Sequence, residues 1–209
     1  MIQLLKQYKN GEDFFTARNL DFVHQHISAI ENQSPTAKAA LKLPDFPRDH
    51  TWFNCEPLSL PKHLRGKLVL IDFWTYCCIN CLHVLTDMEF LEEKFSKEAS
   101  VAFIGSHSAK FLNERGDDKV RDAVLRYEIK HPVINDDKML VWRGYERRAW
   151  PSFVIVSPKS QVPIFFCQGE GHRNVLDLFL STAFDHYYDQ LNHKQTFTIM
   201  PEESKTQES

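Results

Sequence analysis

Lys67-Leu-Val-Leu-Ile-Asp-Phe-Trp-Thr-Tyr-Cys-Cys-Ile-Asn-Cys-Leu82 is the stretch on which the reading of the fold turns. Leu68-Val-Leu-Ile71 is a continuous apolar run, the pattern of a central strand buried on both faces. We read the strand over Lys67 to Trp74. From Ile79 to Phe95 the apolar residues Leu82, Leu85, Met88, Leu91 and Phe95 recur near helical spacing, which predicts a helix. A strand thus runs into a helix, with Cys78-Ile-Asn-Cys81 at the helix mouth.

The same reading extends in both directions. Upstream, Leu20, Val23, Ile27 and Ile30 repeat at steps of three and four and predict an amphipathic helix, with Phe14, Phe15 and Phe22 adding apolar bulk. Asn32-Gln-Ser-Pro35 ends it, because proline disfavours helix in the residue before it. Leu43 to His50 reads as a loop, and Leu58-Ser-Leu60 as a short strand before the turn at Arg65-Gly66. Downstream, Val101 to Ile104 is a second buried strand, His107 to Gly116 a loop, Val120 to Tyr127 a helix and Pro132 to Ile134 a short strand. Phe153 to Val156 and Val162 to Phe166 flank Ser157-Pro-Lys-Ser160 as a hairpin. Asn174 to Leu191 is a last helix with Val175, Leu178, Phe179 and Ala183 facing the core. Alternating strands and helices followed by an antiparallel pair predict an α/β fold, a mixed sheet between helices. The division is an N-terminal helical extension and linker over 1–42, a central domain over 43–191 and a flexible polar tail over 192–209.

Composition narrows the function classes. The 209 residues are 43% hydrophobic and 25% charged, as expected of a globular chain, and the net charge is −3. Without a block of Lys and Arg, no nucleic-acid partner is read. No apolar run reaches the ~18 residues of a membrane span, and the apolar patch near Met1 is too short for a signal-peptide core. If Met1 is the start, these features imply a cytoplasmic protein with no membrane association. The cysteines are Cys55, Cys77, Cys78, Cys81 and Cys167, an odd number with three inside five positions. That is not the pattern of a secreted disulfide framework, and Cys55 and Cys167 read as small buried hydrophobes.

The chemistry is read at Cys78 and Cys81. A helix N-terminus carries partial positive charge and unpaired N–H groups, so a thiolate is stabilised there. Cys78, nearest those groups, is the expected nucleophile, and Cys81, one turn on, the resolving thiol. One pair of cysteines, with His83 and no second histidine at a ligand spacing, does not make a zinc site. Asp72, a carboxylate inside an apolar strand, is expected to be buried, with its pKa raised by desolvation, and to relay a proton at Cys81.

Asp72-Phe-Trp-Thr-Tyr-Cys-Cys-Ile-Asn-Cys81 resembles the active-site segment of thioredoxins, with Cys77 where a tryptophan is usual. Asp72 matches that family's buried aspartate, and Trp150-Pro151-Ser152 its cis-proline loop. Trp52-Phe-Asn54, Leu58-Ser-Leu60, Leu64-Arg-Gly-Lys67 and the long stretch from Cys81 to Pro151 resemble the TlpA-like branch. Ile104 to Phe111, Ala123 to Tyr127, His131 to Asp136 and Gly169-Glu-Gly-His172 resemble the thioredoxin-like domain of NHL-repeat proteins, over roughly residues 43 to 190 and without their β-propeller. The resemblance implies a thioredoxin-like fold with Cys78, Cys81, Asp72 and Pro151 as site residues and no cofactor. It implies protein thiol or disulfide substrates and a cellular dithiol reductant. Two alternatives stay open. One is a redox-inert interaction module. The other is a copper chaperone, because Cys77-x-x-x-Cys81 resembles the Sco proteins when a distant histidine joins, and His107 and His172, expected in exposed loops, are the candidates. Glu170 reads as a turn residue between two glycines.

Overall fold

The computed structural model describes residues 15–202. Phe14 and the polar end from 203 onward lie outside them. The order is α1 (Ala17–Glu31), α2 (Pro35–Leu41), β1 (Trp52–Phe53), β2 (Leu68–Trp74), α3 (Ile79–His83), α4 (Leu85–Lys94), β3 (Val101–His107), α5 (Asp117–Arg126), β4 (Val133–Asn135), α6 (Leu140–Gly144), β5 (Ser152–Val156), β6 (Pro163–Gln168) and α7 (Arg173–Tyr187).

Six strands form a sheet in the order β1-β4-β3-β2-β5-β6. β2 pairs parallel with β3 and antiparallel with β5, and the β5–β6 hairpin closes that side. Every residue of β2 and β3 is buried, because the sheet is covered on both faces. Leu68 and Leu70 pack against α1, α4 and α7. Val69, Ile71 and Phe73 point the other way, onto Leu58, Leu60, Leu64 and Trp142. The architecture is the mixed sheet between helices that the periodicities require.

α1 begins at Thr16, whose hydroxyl accepts the Asn19 N–H at 3.2 Å. Val23 and Ile27 are fully buried, with Leu20 and Ile30 packed beside them. At its end the buried Glu31 carboxylate accepts from the hydroxyls of Tyr187 at 2.8 Å, Ser160 at 3.0 Å and Ser157, tying the helix to α7 and the hairpin turn. Burial opposes ionisation of Glu31, but these hydroxyls outweigh it and hold its pKa below the usual value. Removing the acceptor orphans three hydroxyls, so Glu31→Ala is expected to cost about 2 kcal/mol. The midpoint of denaturant unfolding at neutral pH measures this.

Several elements differ from the sequence reading. Pro35 ends α1 and also starts α2, as the N1 residue behind the Ser34 cap. Leu58-Ser-Leu60 is not a strand: both leucines are buried, but Ser59 and Leu60 bond to the Asp45 carboxylate instead of to a sheet. The strand before β2 is Trp52–Phe53, paired with β4. The helix read over Ile79 to Phe95 breaks at Val84, giving α3 and α4. Its buried stripe is Cys81, Val84, Met88, Leu91 and Phe95, with Leu82 and Leu85 only partly covered.

Beyond α7 the chain turns back onto the domain. The buried Lys67 ammonium donates to the carbonyls of Ala99, Asn192 and Lys194. Asn54 then bonds Met200 and Glu202. Among the described residues no helix is long and apolar enough to cross a membrane.

Candidate active site at the Cys78–Cys81 dithiol

β2 delivers the chain into a short turn, Thr75 to Cys77, in which the Cys78 N–H bonds the Thr75 carbonyl at 3.1 Å. Cys78 is the N-cap of α3, in extended conformation, and its carbonyl receives the N–H groups of Cys81 (3.0 Å) and Leu82 (3.2 Å). One turn of helix therefore sets Cys81 behind Cys78. Cys77 is exposed, Cys78 half-buried and Cys81 fully buried, and all three are free thiols. The Cys81 thiol bonds to Cys78. Burial first, then that bond, push its pKa far above the usual thiol range, and the Asp72 charge adds to this.

The Trp150–Pro151 peptide is cis, and the Trp150 carbonyl lies 3.8 Å from the Cys78 sulfur. This loop is held from behind. Trp150 stacks on Trp142 with centroids 4.0 Å apart, and its indole N–H donates to the Ser108 carbonyl at 2.9 Å. The Trp150–Pro151 loop thus lies beside the Cys78 thiol.

Asp72 is buried in the middle of the sheet, between Gly105 of β3 and Phe153 of β5. Burial pushes its pKa up to about 7, with His131 opposing the rise and Glu92 adding to it. A carboxyl poised near neutrality beside a buried thiol can take and return a proton. All four residues singled out from the sequence, Cys78, Cys81, Asp72 and Pro151, stand within this one region.

The sequence reading missed a polar cluster on the far side of Cys77. His107 is not in an exposed loop. It closes β3 and is fully buried, stacked on Tyr76 at 5.3 Å and edge-on to Trp74. Burial pushes its pKa down to about 4, although Asn135 and Glu114 favour the proton. Glu114, also buried, accepts from the Thr75 hydroxyl (3.0 Å) and the N–H groups of Lys110 (2.8 Å) and Phe111 (3.1 Å). Cys77 bonds to this carboxylate. Desolvation and then Glu114 push the Cys77 thiol up to about 11. The Gly-Ser-His end of β3 carries no strand signal, and the contacts to Glu114 are made by the fold.

Glu170 sits in a glycine turn, as read, and also reaches α3, its carboxylate 2.8 Å from His83 Nδ1. His172 Nε2 bonds the Gln168 carbonyl, and both ring nitrogens of His107 are engaged by Thr75 and Asn135. Among the described residues no group of three or more His, Cys, Asp or Glu is arranged to hold a metal ion.

A dithiol at a strand-to-helix junction, walled by a cis-proline loop and backed by a buried aspartate, on a mixed sheet with helices on both faces, defines the thioredoxin-like class. Residues 66–162 match the thioredoxin-like family model, and the chain carries a thioredoxin-like domain. It is 49% identical over 162 residues to Protein SUPPRESSOR OF QUENCHING 1, chloroplastic, of Arabidopsis thaliana, covering 78% of this chain and 15% of that one. It is 44% identical over 169 residues to human NHL repeat-containing protein 2, covering 80% of this chain and 23% of that one. The chain thus spans less than a quarter of the length of either relative. A thioredoxin-like protein solved in solution in its oxidized form superposes with a TM-score of 0.60 at 16% identity, over 69% of this chain and 95% of that one.

Proposed function

We propose that this domain is a thiol–disulfide oxidoreductase or redox sensor acting on protein substrates. The observation that carries the reading is the layered pair: a half-buried Cys78 beside the Pro151 loop, with Cys81 buried behind it and bonded to it. In the reductive direction the Cys78 thiolate attacks a substrate disulfide. A Cys78–substrate bond forms, and the leaving sulfur departs as a thiolate that takes a proton from water. Asp72 then accepts the Cys81 proton, and the Cys81 thiolate attacks the Cys78 sulfur. The second substrate sulfur leaves, and the domain holds a Cys78–Cys81 disulfide. In this reading a cellular dithiol reductant supplies the two electrons that reset it, and the compartment proposed is a reducing one such as the cytoplasm.

Alkylation against pH tests this. At neutral pH, modification of the reduced protein is expected at Cys78 first, with Cys81 shielded and Cys77 slowed by its bond to Glu114. Equal rates at all three would remove the division of roles. Mild oxidation should join Cys78 to Cys81, as read by peptide mapping. A Cys77–Cys81 bridge would instead favour the copper-chaperone alternative.

A further inference from the structure

Asp72 has neighbours on the side away from the dithiol that the mechanism so far leaves unused. Gly105 lies opposite Asp72 in the β2–β3 pairing. A side chain at Gly105 would come within 2.9 Å of His131 Nε2 and 3.1 Å of Trp74 Nε1. Glycine therefore lets an imidazole from beyond β3 settle against the strand next to Asp72. Two buried polar atoms at this glycine, Trp74 Nε1 and His131 Nε2, have no hydrogen-bond partner, and neither has Oδ1 of Asp72, the residue paired with it across the strands. Buried groups of this kind are ordinarily satisfied by protein or by bound water.

The other edge of the imidazole leads outward. His131 Nδ1 lies 2.7 Å from Glu92 Oε1, and the Glu92 side chain is 24% exposed. Glu92 and His131 line a cleft of about 230 Å³ between α4 and the end of α5. The carboxylate of Asp72 is otherwise enclosed, with the protonated thiols of Cys81 and Cys167 as its remaining titratable neighbours.

We propose that His131 and Glu92 are the proton exit of Asp72, with one bound water joining its orphaned oxygen to the orphaned Nε2 of His131. The inference rests on the reading of Cys78 and Cys81 as a working dithiol. The proton that Cys81 gives to Asp72 passes through the water to Nε2 of the neutral His131 ring, which is an imidazolium beside the Asp72 carboxylate while it holds that proton. The ring releases its Nδ1 proton to Glu92, which discharges it to solvent, so one proton leaves for each mixed disulfide resolved. His131 and Glu92 are positioning residues, since neither touches a sulfur. The charged groups facing the dyad are Asp72 from β2, Glu89 and Glu93 from α4, Lys97 and Glu98 after it, and Arg126, Glu128 and Lys130 from the end of α5 and the turn that follows.

The test uses the full chain with two readouts. Carbon-13 NMR follows the Asp72 carboxyl in the reduced protein without turnover, and stopped flow follows the pH profile of mixed-disulfide resolution. His131→Gln removes a neighbouring positive charge, so the Asp72 midpoint should rise by about one pH unit and the kinetic profile should move with it. Glu92→Gln keeps a polar partner for His131 at a partly exposed site, so the fold is retained if His131→Gln fails. It should slow resolution several-fold, with added imidazole buffer restoring the rate. An Asp72 midpoint that ignores His131→Gln, or a Glu92→Gln rate equal to that of the parent, in a protein that does resolve mixed disulfides, overturns the exit alone. A parent chain that resolves none overturns the oxidoreductase reading itself, whatever Asp72 does in the NMR titration.

Discussion

With Cys77 and Cys81 both replaced by serine, the chain is expected to hold its protein partners as mixed disulfides that survive denaturing gels without reductant and vanish with it. Cys78 remains able to open a substrate disulfide, and no thiol is left to release the product. Adding Cys78→Ser should abolish retention, an all-or-none change. Cys81→Ser alone should trap nearly as well. Cys77 is nearer the bridge than any other thiol, but desolvation and the Glu114 carboxylate hold it up to about 11. At pH 7 that leaves on the order of one thiolate in ten thousand. Cys77 is therefore a slow substitute for Cys81, and Glu114→Gln in the Cys81→Ser background should quicken release by freeing it. Retention that persists without Cys78 would be non-covalent, and the interaction-module reading would then replace the enzyme.

The central strand and the dithiol were legible because their signals are local. Helices on both faces of β2 demand an unbroken apolar run, and a charge inside such a run, Asp72, stands out. The breaks in the pattern depend on distant partners. α6 is five residues long, and its start is fixed by the buried Asp136 carboxylate, which accepts the N–H groups of Leu140, Val141 and Trp142. A cap supplied from outside the helix leaves no periodic trace. Leu58 and Leu60 alternate like strand residues, yet the Ser59 hydroxyl and the Leu60 N–H bond to the Asp45 carboxylate, some fifteen residues away. At the site, Glu114 lies 39 residues from Thr75 and Glu92 lies 39 residues from His131. Nothing in the one-dimensional spacing couples those pairs. Only the parallel registers of β2, β3 and β4 bring them around the dithiol and Asp72.

Asp72→Asn is expected to stabilise the reduced protein on the order of 4 kcal/mol at pH 8 and to change little at pH 4. In the unfolded chain the aspartate titrates at its ordinary 3.8, whereas in the folded protein burial first, and then Glu92, push it up to about 7 against the pull of His131. Below about pH 4 both states are protonated, and the carboxyl costs the fold nothing. Between these values the unfolded state sheds the proton that the folded state keeps, so stability falls as pH rises. Above about 7 both states are charged, and the cost of the buried anion is fully present. Asparagine has nearly the same shape and cannot ionise, so it removes that cost only where the cost exists. Denaturant unfolding at pH 4, 6 and 8, with equal slopes for the two proteins, measures the difference. A gain independent of pH would mean that packing, not charge, is what changed. The same substitution takes the proton acceptor from Cys81, so mixed-disulfide resolution should slow at the pH where the fold is most improved. A buried group that lowers stability and raises turnover together is what a carboxyl retained for proton transfer looks like.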